Sequence, residues 1–159
     1  MELDKDFKEF IELLNEHKVK YLIIGGYAVN FHGYPRYTKD IDFWLWMTKE
    51  NIQNLIQAIR QFGFGSLDLE IKDFMIPENI IQLGYEPYRI DLLVDVEGIE
   101  FEECFERRTE AQLDGIDVKF ISLQDLIQAK KTAGRLQDLA DAEQLERLKE
   151  KSKKDKNET

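Results

Sequence analysis

The chain has 159 residues, which is enough for one ordinary hydrophobic core and therefore predicts a single domain. Hydrophobic residues make up 43% and charged residues 34% of the sequence, values that fit a globular protein and exclude disorder over most of the length. The formal net charge of −10 disfavours a long nucleic acid or an anionic membrane surface as a partner, and leaves open that some carboxylates hold cations.

The cysteine content and the N-terminal sequence indicate the cellular compartment in which the protein is expected. Cys104 is the only cysteine, so an internal disulfide is excluded and a reducing cytoplasm is expected. The N-terminal stretch MELDKDFKEF lacks the apolar core of a signal peptide. No apolar stretch approaches the roughly 20 residues that a membrane helix needs. These features together predict a cytoplasmic protein without a membrane segment.

Hydrophobic spacing predicts helices and short strands along most of the chain. The predicted helices cover residues 4–17, 27–32, 49–62, 101–107, 122–132 and 136–148. The predicted strands cover residues 19–24, 40–47, 67–71, 79–83, 88–94, 111–113 and 116–121. Thr48 and Ser122 are predicted to cap two of the helices. The sum is an α+β domain over residues 1–148, with a small mixed or antiparallel sheet flanked by helices, and a charged flexible tail over residues 149–159.

Two carboxylates lie two residues apart on the predicted strand 40–47. Because side chains alternate across a strand, Asp40 and Asp42 project to one face while the residues between and after them form an apolar face. The same alternation places Asp91 off the apolar face of strand 88–94. If the two strands are neighbours, three carboxylates converge, and such a cluster is costly unless a cation neutralises it. Carboxylate oxygens suit Mg²⁺ or Mn²⁺.

The pair Gly25-Gly26 ends a predicted strand and leads directly into a helix. Such a junction offers backbone N–H groups to an anion, and glycine lets a phosphate approach the main chain. Alone, the pair could be a tight turn, and the acidic strand could be an exposed edge. The ordered combination of a glycine pair, two carboxylates and a third carboxylate favours a site for a phosphate and metal ions. Trp44 and Trp46, on the carboxylate face, are interpreted as packing under a helix, with the floor of a nucleotide pocket as the alternative.

The segment LIIGGYAVNFHGYPRYTKDIDF resembles the signature of the DNA polymerase beta-like nucleotidyltransferase superfamily. That signature is an apolar residue, Gly, then Gly or Ser, a spacer and an acid–apolar–acid set, here Ile24, Gly25, Gly26, Asp40, Ile41 and Asp42. The third acidic residue of the signature corresponds to Asp91. The resemblance covers residues 19–94 and continues more loosely through ISLQDLIQAKKTAGRLQDLADAEQL, which is similar to the C-terminal helices of small bacterial members with antitoxin, toxin and antibiotic-adenylylating relatives. Gly26 departs from the many members that have Ser there.

The resemblance implies a nucleotidyltransferase-type sheet and the transfer of a nucleoside monophosphate from a nucleoside triphosphate, with ATP expected, to an acceptor hydroxyl. Pyrophosphate would leave. Asp40 and Asp42 would hold two Mg²⁺ or Mn²⁺ ions, and Asp91 would complete the catalytic metal site and help to deprotonate the acceptor. Gly25 and Gly26 would hold the triphosphate.

Four further residues are candidate contacts to the triphosphate: Arg36, Thr38, Lys39 and Lys130. A surface-charge or turn role is an equal alternative for each, and Lys130 could instead pair with Arg135 and Asp138 at a helix junction. The expected acceptor is a partner protein, as in toxin–antitoxin pairs, or a small antibiotic-like molecule. The alternative function is a non-catalytic nucleotide-binding regulatory or antitoxin-like module that acts by binding a partner protein.

Overall fold

The computed structural model describes residues 3–64, 67–85 and 88–157, and within them six strands form one mixed sheet. The strands are β1 Tyr21–Ile24, β2 Ile41–Leu45, β3 Ile80–Leu83, β4 Ile90–Leu93, β5 Thr109–Leu113 and β6 Ile116–Phe120. Their order across the sheet is β3-β4-β2-β1-β6-β5. Strand β2 pairs antiparallel with β1 and parallel with β4, so the two strands predicted to carry the carboxylates are neighbours.

The helices of the described residues flank this sheet, which confirms the predicted α+β class. They are α1 Lys5–Glu16, α2 Gly25–Phe31, α3 Lys49–Ile59, α4 Phe101–Glu106, α5 Leu123–Ala133 and α6 Leu136–Asn157. The predicted caps are present: the Thr48 side chain accepts a hydrogen bond from the backbone N–H of Asn51, and that of Ser122 accepts one from Asp125. No helix among residues 3–64, 67–85 and 88–157 is long and apolar enough to cross a membrane.

The two faces of β2 have the contacts that the alternation predicts. On one face Phe43 is fully buried and packs edge-to-face against Phe10 of α1, at 5.3 Å between ring centroids. On the other face Trp44 packs edge-to-face against Phe101 of α4, at 5.2 Å, and Trp46 is stacked on the same ring at 6.5 Å. The interpretation of both tryptophans as packing under a helix is therefore confirmed.

Two predicted elements differ from the observed ones. Residues 67–71 do not form a strand: Glu70 and Asp73 make a capping box that begins a 3₁₀ helix, Ile71–Phe74, and Phe74 is the residue that becomes buried. The final helix does not end near Leu148. It continues to Asn157, because residues 149–157 contain no helix breaker and Lys149 contacts Gln124 of α5.

The predicted tail, residues 149–159, is therefore helical as far as Asn157, and residues 158 and 159 lie outside the described residues. Side chains 151–156 are exposed, in accord with their predicted charged and solvated character. The division of the chain into one domain and a flexible tail stays a prediction.

Candidate active site

The glycine pair lies where β1 ends, and α2 begins at its first residue. Gly25 has φ +68°, in the left-handed region that side chains with a Cβ rarely adopt, and a Cβ there would clash with Oδ2 of Asp42. A Cβ on Gly26 would lie 2.9 Å from Oγ1 of Thr38. Thr38 itself donates a hydrogen bond of 3.0 Å to the backbone carbonyl of Asp40. The lack of side chains at this junction is what lets its backbone approach the carboxylates and the Thr38 loop.

Replacing Gly25 by alanine is expected to lower the free energy of unfolding by about 1–3 kcal/mol and to displace the Asp42 carboxylate. The left-handed backbone and the clash with Oδ2 both contribute. Urea unfolding measures the loss. Gly115→Ala is the matched control, because Gly115 also has a positive φ, +82°, but an added Cβ there meets nothing within 4 Å. Equal losses for the two variants would contradict the close approach of Gly25 to Asp42.

The three predicted carboxylates meet at the junction of β2 and β4. Asp42 and Asp91 are direct partners in the parallel register of these strands, and Asp40 immediately precedes β2. Asp42 is also the register partner of Ile24, the last residue of β1. The carboxylates and the glycine pair are thus held by three adjacent strands of one sheet. This grouping is what the alternation predicted if the strands were neighbours, while the chemical roles of these residues stay predictions.

Arg89, which was not predicted as a site residue, joins this cluster. Its Nε donates to Oδ1 of Asp91 at 2.7 Å, and its Nη2 lies 3.2 Å from Oδ2 of the same carboxylate. Nη2 also lies 3.3 Å from Oδ2 of Asp40, while the backbone N–H of Arg89 donates to Oδ1 of Asp40 at 3.2 Å. The available signal was its position two residues before Asp91, which places both side chains on the same face of a strand.

The electrostatics of the cluster are most evident at Asp42. Burial is the largest cause that raises the pKa of this carboxyl, to about 6, and the charges of Asp91 and Asp40 raise it further. Lys130 and Arg89 oppose the shift. Burial and the two neighbouring carboxylates therefore raise the pKa of Asp42 more than Lys130 and Arg89 lower it.

The cluster provides the donor type that Mg²⁺ or Mn²⁺ requires, but not a ready arrangement. Among residues 3–64, 67–85 and 88–157, no group of three or more His, Cys, Asp or Glu side chains is placed to hold a metal ion. Arg89 contacts both oxygens of Asp40 and both oxygens of Asp91. A metal ion at Asp40 or Asp91 would therefore share its donor oxygens with Arg89.

A buried ionic cluster lies behind the site and includes two of the predicted triphosphate contacts. Asp141 of α6 is fully buried and pairs with Arg36 and with Lys130, whose Nζ lies 3.1 Å from its Oδ2. Lys130 also lies 3.3 Å from Asp138, which in turn binds Nε of Arg135 at 2.6 Å. Lys130 and Arg135 therefore both pair with Asp138 at the junction of α5 and α6, while the role of Lys130 towards a triphosphate stays a prediction.

The predicted binding residues differ in how close they lie to the carboxylates. Thr38 contacts the acidic segment directly, and Lys130 lies near enough to Asp42 to lower the pKa of that carboxyl. Arg36 connects the loop before β2 to α6, and Lys39 is exposed.

A cleft of about 550 Å³ adjoins Thr38. It is lined by Tyr27, Asn30, Phe31, Arg36, Tyr37 and Leu113 besides Thr38 itself.

This mixed sheet sets a glycine pair against carboxylates on two neighbouring strands, which agrees with the nucleotidyltransferase-type sheet that the sequence motif predicts. The chain belongs to the family described as "Nucleotidyl transferase of unknown function", DUF2204, whose profile matches residues 4–158. The predicted membership of the superfamily is confirmed. No curated protein matches the chain significantly.

Solved nucleotidyltransferase structures share this fold. The lincosamide antibiotic adenylyltransferase LnuA, solved with lincomycin bound, is 18% identical with a TM-score of 0.59, covering 92% of this chain and 98% of its own. ANT(2″)-Ia in complex with adenylyl-2″-tobramycin is 15% identical with a TM-score of 0.53, covering 89% and 91%. An antigenic nucleotidyltransferase-like protein from Paracoccidioides brasiliensis is 16% identical with a TM-score of 0.51, covering 90% and 74%. At these identities the likeness establishes the fold alone.

Proposed function

We propose that this protein is a metal-dependent enzyme that transfers a nucleoside monophosphate from a nucleoside triphosphate, with ATP expected, to an acceptor hydroxyl. The observation that carries the proposal is the register of Asp42 with Asp91 on adjacent strands, beside Asp40 and directly against Gly25. Membership of a nucleotidyl transferase family supports the same reaction class.

The nucleotide is proposed to bind along the glycine junction and the Thr38 loop. Gly25 and Gly26 carry no side chain that would keep phosphate oxygens from the backbone. The Thr38 hydroxyl lies beside Gly26. The adjoining cleft has Tyr27 and Tyr37 among its lining residues, and their rings are suited to contact a base or ribose. Arg36, Lys39 and Lys130 are the cations proposed to approach the triphosphate.

Asp40, Asp42 and Asp91 would hold two Mg²⁺ ions, or Mn²⁺, which when bound would neutralise the carboxylates and the triphosphate and activate the attacking oxygen. In the transfer, the acceptor oxygen forms a bond to the α-phosphorus, and the bond from that phosphorus to the pyrophosphate oxygen breaks. Asp91 is proposed to take the acceptor proton, and pyrophosphate leaves. Lys130, held by Asp141, would offset negative charge on the side of Asp42 that faces α5.

Two acceptor classes are retained. The structures of similar fold include a lincosamide antibiotic adenylyltransferase and ANT(2″)-Ia in complex with adenylyl-2″-tobramycin, which favours a small hydroxylated molecule. A partner protein, as in toxin–antitoxin pairs, is the other class. The contacts of Arg89 with Asp40 and Asp91 favour the alternative function, a non-catalytic nucleotide-binding module, because they take up the oxygens that a catalytic metal would need.

The test is incubation of the purified protein with each α-labelled nucleoside triphosphate, Mg²⁺ or Mn²⁺, and a panel of hydroxylated antibiotics or a cell lysate. We expect label transfer that depends on the divalent ion and that Asp91→Asn lowers by at least about 100-fold. Asp95→Asn, at an exposed carboxylate, is the matched control and is expected to retain activity. Nucleotide binding without transfer to any acceptor would support the non-catalytic module, and absence of nucleotide binding would overturn both functions.

A further inference from the structure

Arg89 makes an unusual number of contacts with the carboxylate cluster. Its guanidinium binds Asp91 through two atoms, Nε at 2.7 Å and Nη2 at 3.2 Å, and Nη2 reaches Asp40 at 3.3 Å. Its backbone N–H holds the second oxygen of Asp40 at 3.2 Å. The side chain of Asp91 is only 12% exposed, so solvent screens this pairing little. A single residue therefore satisfies four carboxylate oxygens on two chain segments.

A divalent cation and this guanidinium need the same oxygens. A two-point hydrogen bond between arginine and a carboxylate is among the stronger polar contacts in proteins. A metal ion that coordinates Asp91 binds oxygens that already accept hydrogen bonds from Arg89, and the ion and the guanidinium repel each other. Both supply the positive charge that a carboxylate cluster requires. They are therefore competitors for one place in the structure.

We propose that Arg89 is the resident counter-charge of the carboxylate cluster and that a divalent cation binds only by displacing its guanidinium from Asp40 and Asp91. Metal binding without nucleotide is then weak in the wild-type protein. A triphosphate strengthens metal binding, because it gives the guanidinium another anionic partner and so frees the carboxylate oxygens. Arg89 thus acts as a positioning residue that couples metal binding to nucleotide binding. This inference rests on the proposed nucleotide and metal site, but not on transfer to an acceptor.

The first test measures the binding of Mn²⁺ alone, without nucleotide, by isothermal titration calorimetry and by electron paramagnetic resonance of free Mn²⁺. Arg89→Gln is expected to bind Mn²⁺ at least about tenfold more tightly than the wild type, because the competing charge-assisted hydrogen bonds are gone. Arg89→Lys keeps the positive charge but lacks the planar guanidinium group, so its affinity for Mn²⁺ is expected to lie between those of the wild type and Arg89→Gln. Arg108→Gln is the matched control, since Arg108 pairs with Glu110 on another part of the surface.

The outcomes are decisive in both directions. The proposal would be overturned if Arg89→Gln bound Mn²⁺ no more tightly than the wild type. It would also be overturned if Arg89→Gln did not bind Mn²⁺ at millimolar concentration. Label transfer by the wild type combined with either result would show that only the role of Arg89 is wrong. Tighter Mn²⁺ binding by Arg89→Gln in a protein that never transfers label would support the role of Arg89 while the transfer function fails.

A second measurement uses the wild-type protein and so does not depend on how the variants fold. The Nε–H group of Arg89 is held by Asp91 and should give a distinct ¹H–¹⁵N resonance. Addition of Mg²⁺ without nucleotide is expected to shift this resonance in proportion to metal occupancy. Saturation of the site with Mg²⁺ while the resonance stays unmoved would overturn the displacement.

Discussion

Replacing Asp42 by asparagine is expected to stabilise the metal-free protein at neutral pH while it abolishes nucleotide transfer. Burial and the charges of Asp91 and Asp40 raise the pKa of this carboxyl from 3.8 to about 6. Since one pKa unit corresponds to about 1.4 kcal/mol, the ionised carboxylate destabilises the folded state by up to about 3 kcal/mol above pH 6. Asparagine has a similar shape and no charge, so Asp42→Asn is expected to raise the free energy of unfolding by about 1–3 kcal/mol.

The gain in stability of Asp42→Asn over the wild type should increase with pH. Because the folded-state pKa lies above the unfolded value, the wild-type carboxyl favours folding when it is protonated. Its contribution is fully present below the unfolded pKa of about 3.8 and is lost as the pH rises through about 6. The difference in Tm between Asp42→Asn and the wild type should therefore be largest above pH 7 and shrink towards pH 4.

Thermal denaturation in EDTA from pH 4 to pH 8 measures this difference. Asp95→Asn removes an exposed carboxylate and is expected to change Tm little across the range. In the labelled-nucleotide assay, Asp42→Asn should lose at least about 100-fold in transfer. Lower stability of Asp42→Asn at pH 7.5 would contradict the view that the carboxylate is retained for function at a cost to the fold.

Removing the carboxylate of Asp141 is expected to be the most destabilising single change in the C-terminal helices. Asp141 is fully buried and accepts hydrogen bonds from Arg36 and from Gln137, at 2.9 Å for the latter, while Lys130 lies 3.1 Å from it. Asp141→Ala leaves Arg36 without this partner and removes one of the two carboxylates that hold Lys130. The breaking of a buried ion pair costs about 3–5 kcal/mol.

Urea unfolding of Asp141→Ala should therefore show a loss of about 3 kcal/mol or more, and Asp141→Asn a smaller loss because it keeps the packing. The matched control is Glu143→Gln on the same helix, whose pairing with Arg147 is mostly exposed and should contribute less than about 1 kcal/mol. Asp141→Ala should also weaken nucleotide binding, since Arg36 and Lys130 lose a common anchor. Equal losses for Asp141→Ala and Glu143→Gln would contradict the structural role of the cluster.

Local chemistry explains which features were predictable. The alternation of side chains along a strand placed Asp40, Asp42 and Asp91 off the apolar faces without any knowledge of the fold. The capping preference of Thr48 and Ser122 is likewise a property of a few neighbouring residues, and both caps are present. The errors lie where local preferences are weak, as in residues 67–71, where packing of Phe74 replaced a predicted strand with a 3₁₀ helix.

The glycine pair and the spacing of the carboxylates were enough to predict the class of site, because each depends on short-range backbone geometry. Only the tertiary structure decided what surrounds those carboxylates. Arg89 contacts Asp40 across 49 positions of sequence, and Arg36 contacts Asp141 across 105. Such ion pairs follow from how strands and helices are packed together, and that arrangement is not encoded in the periodicity of any one segment.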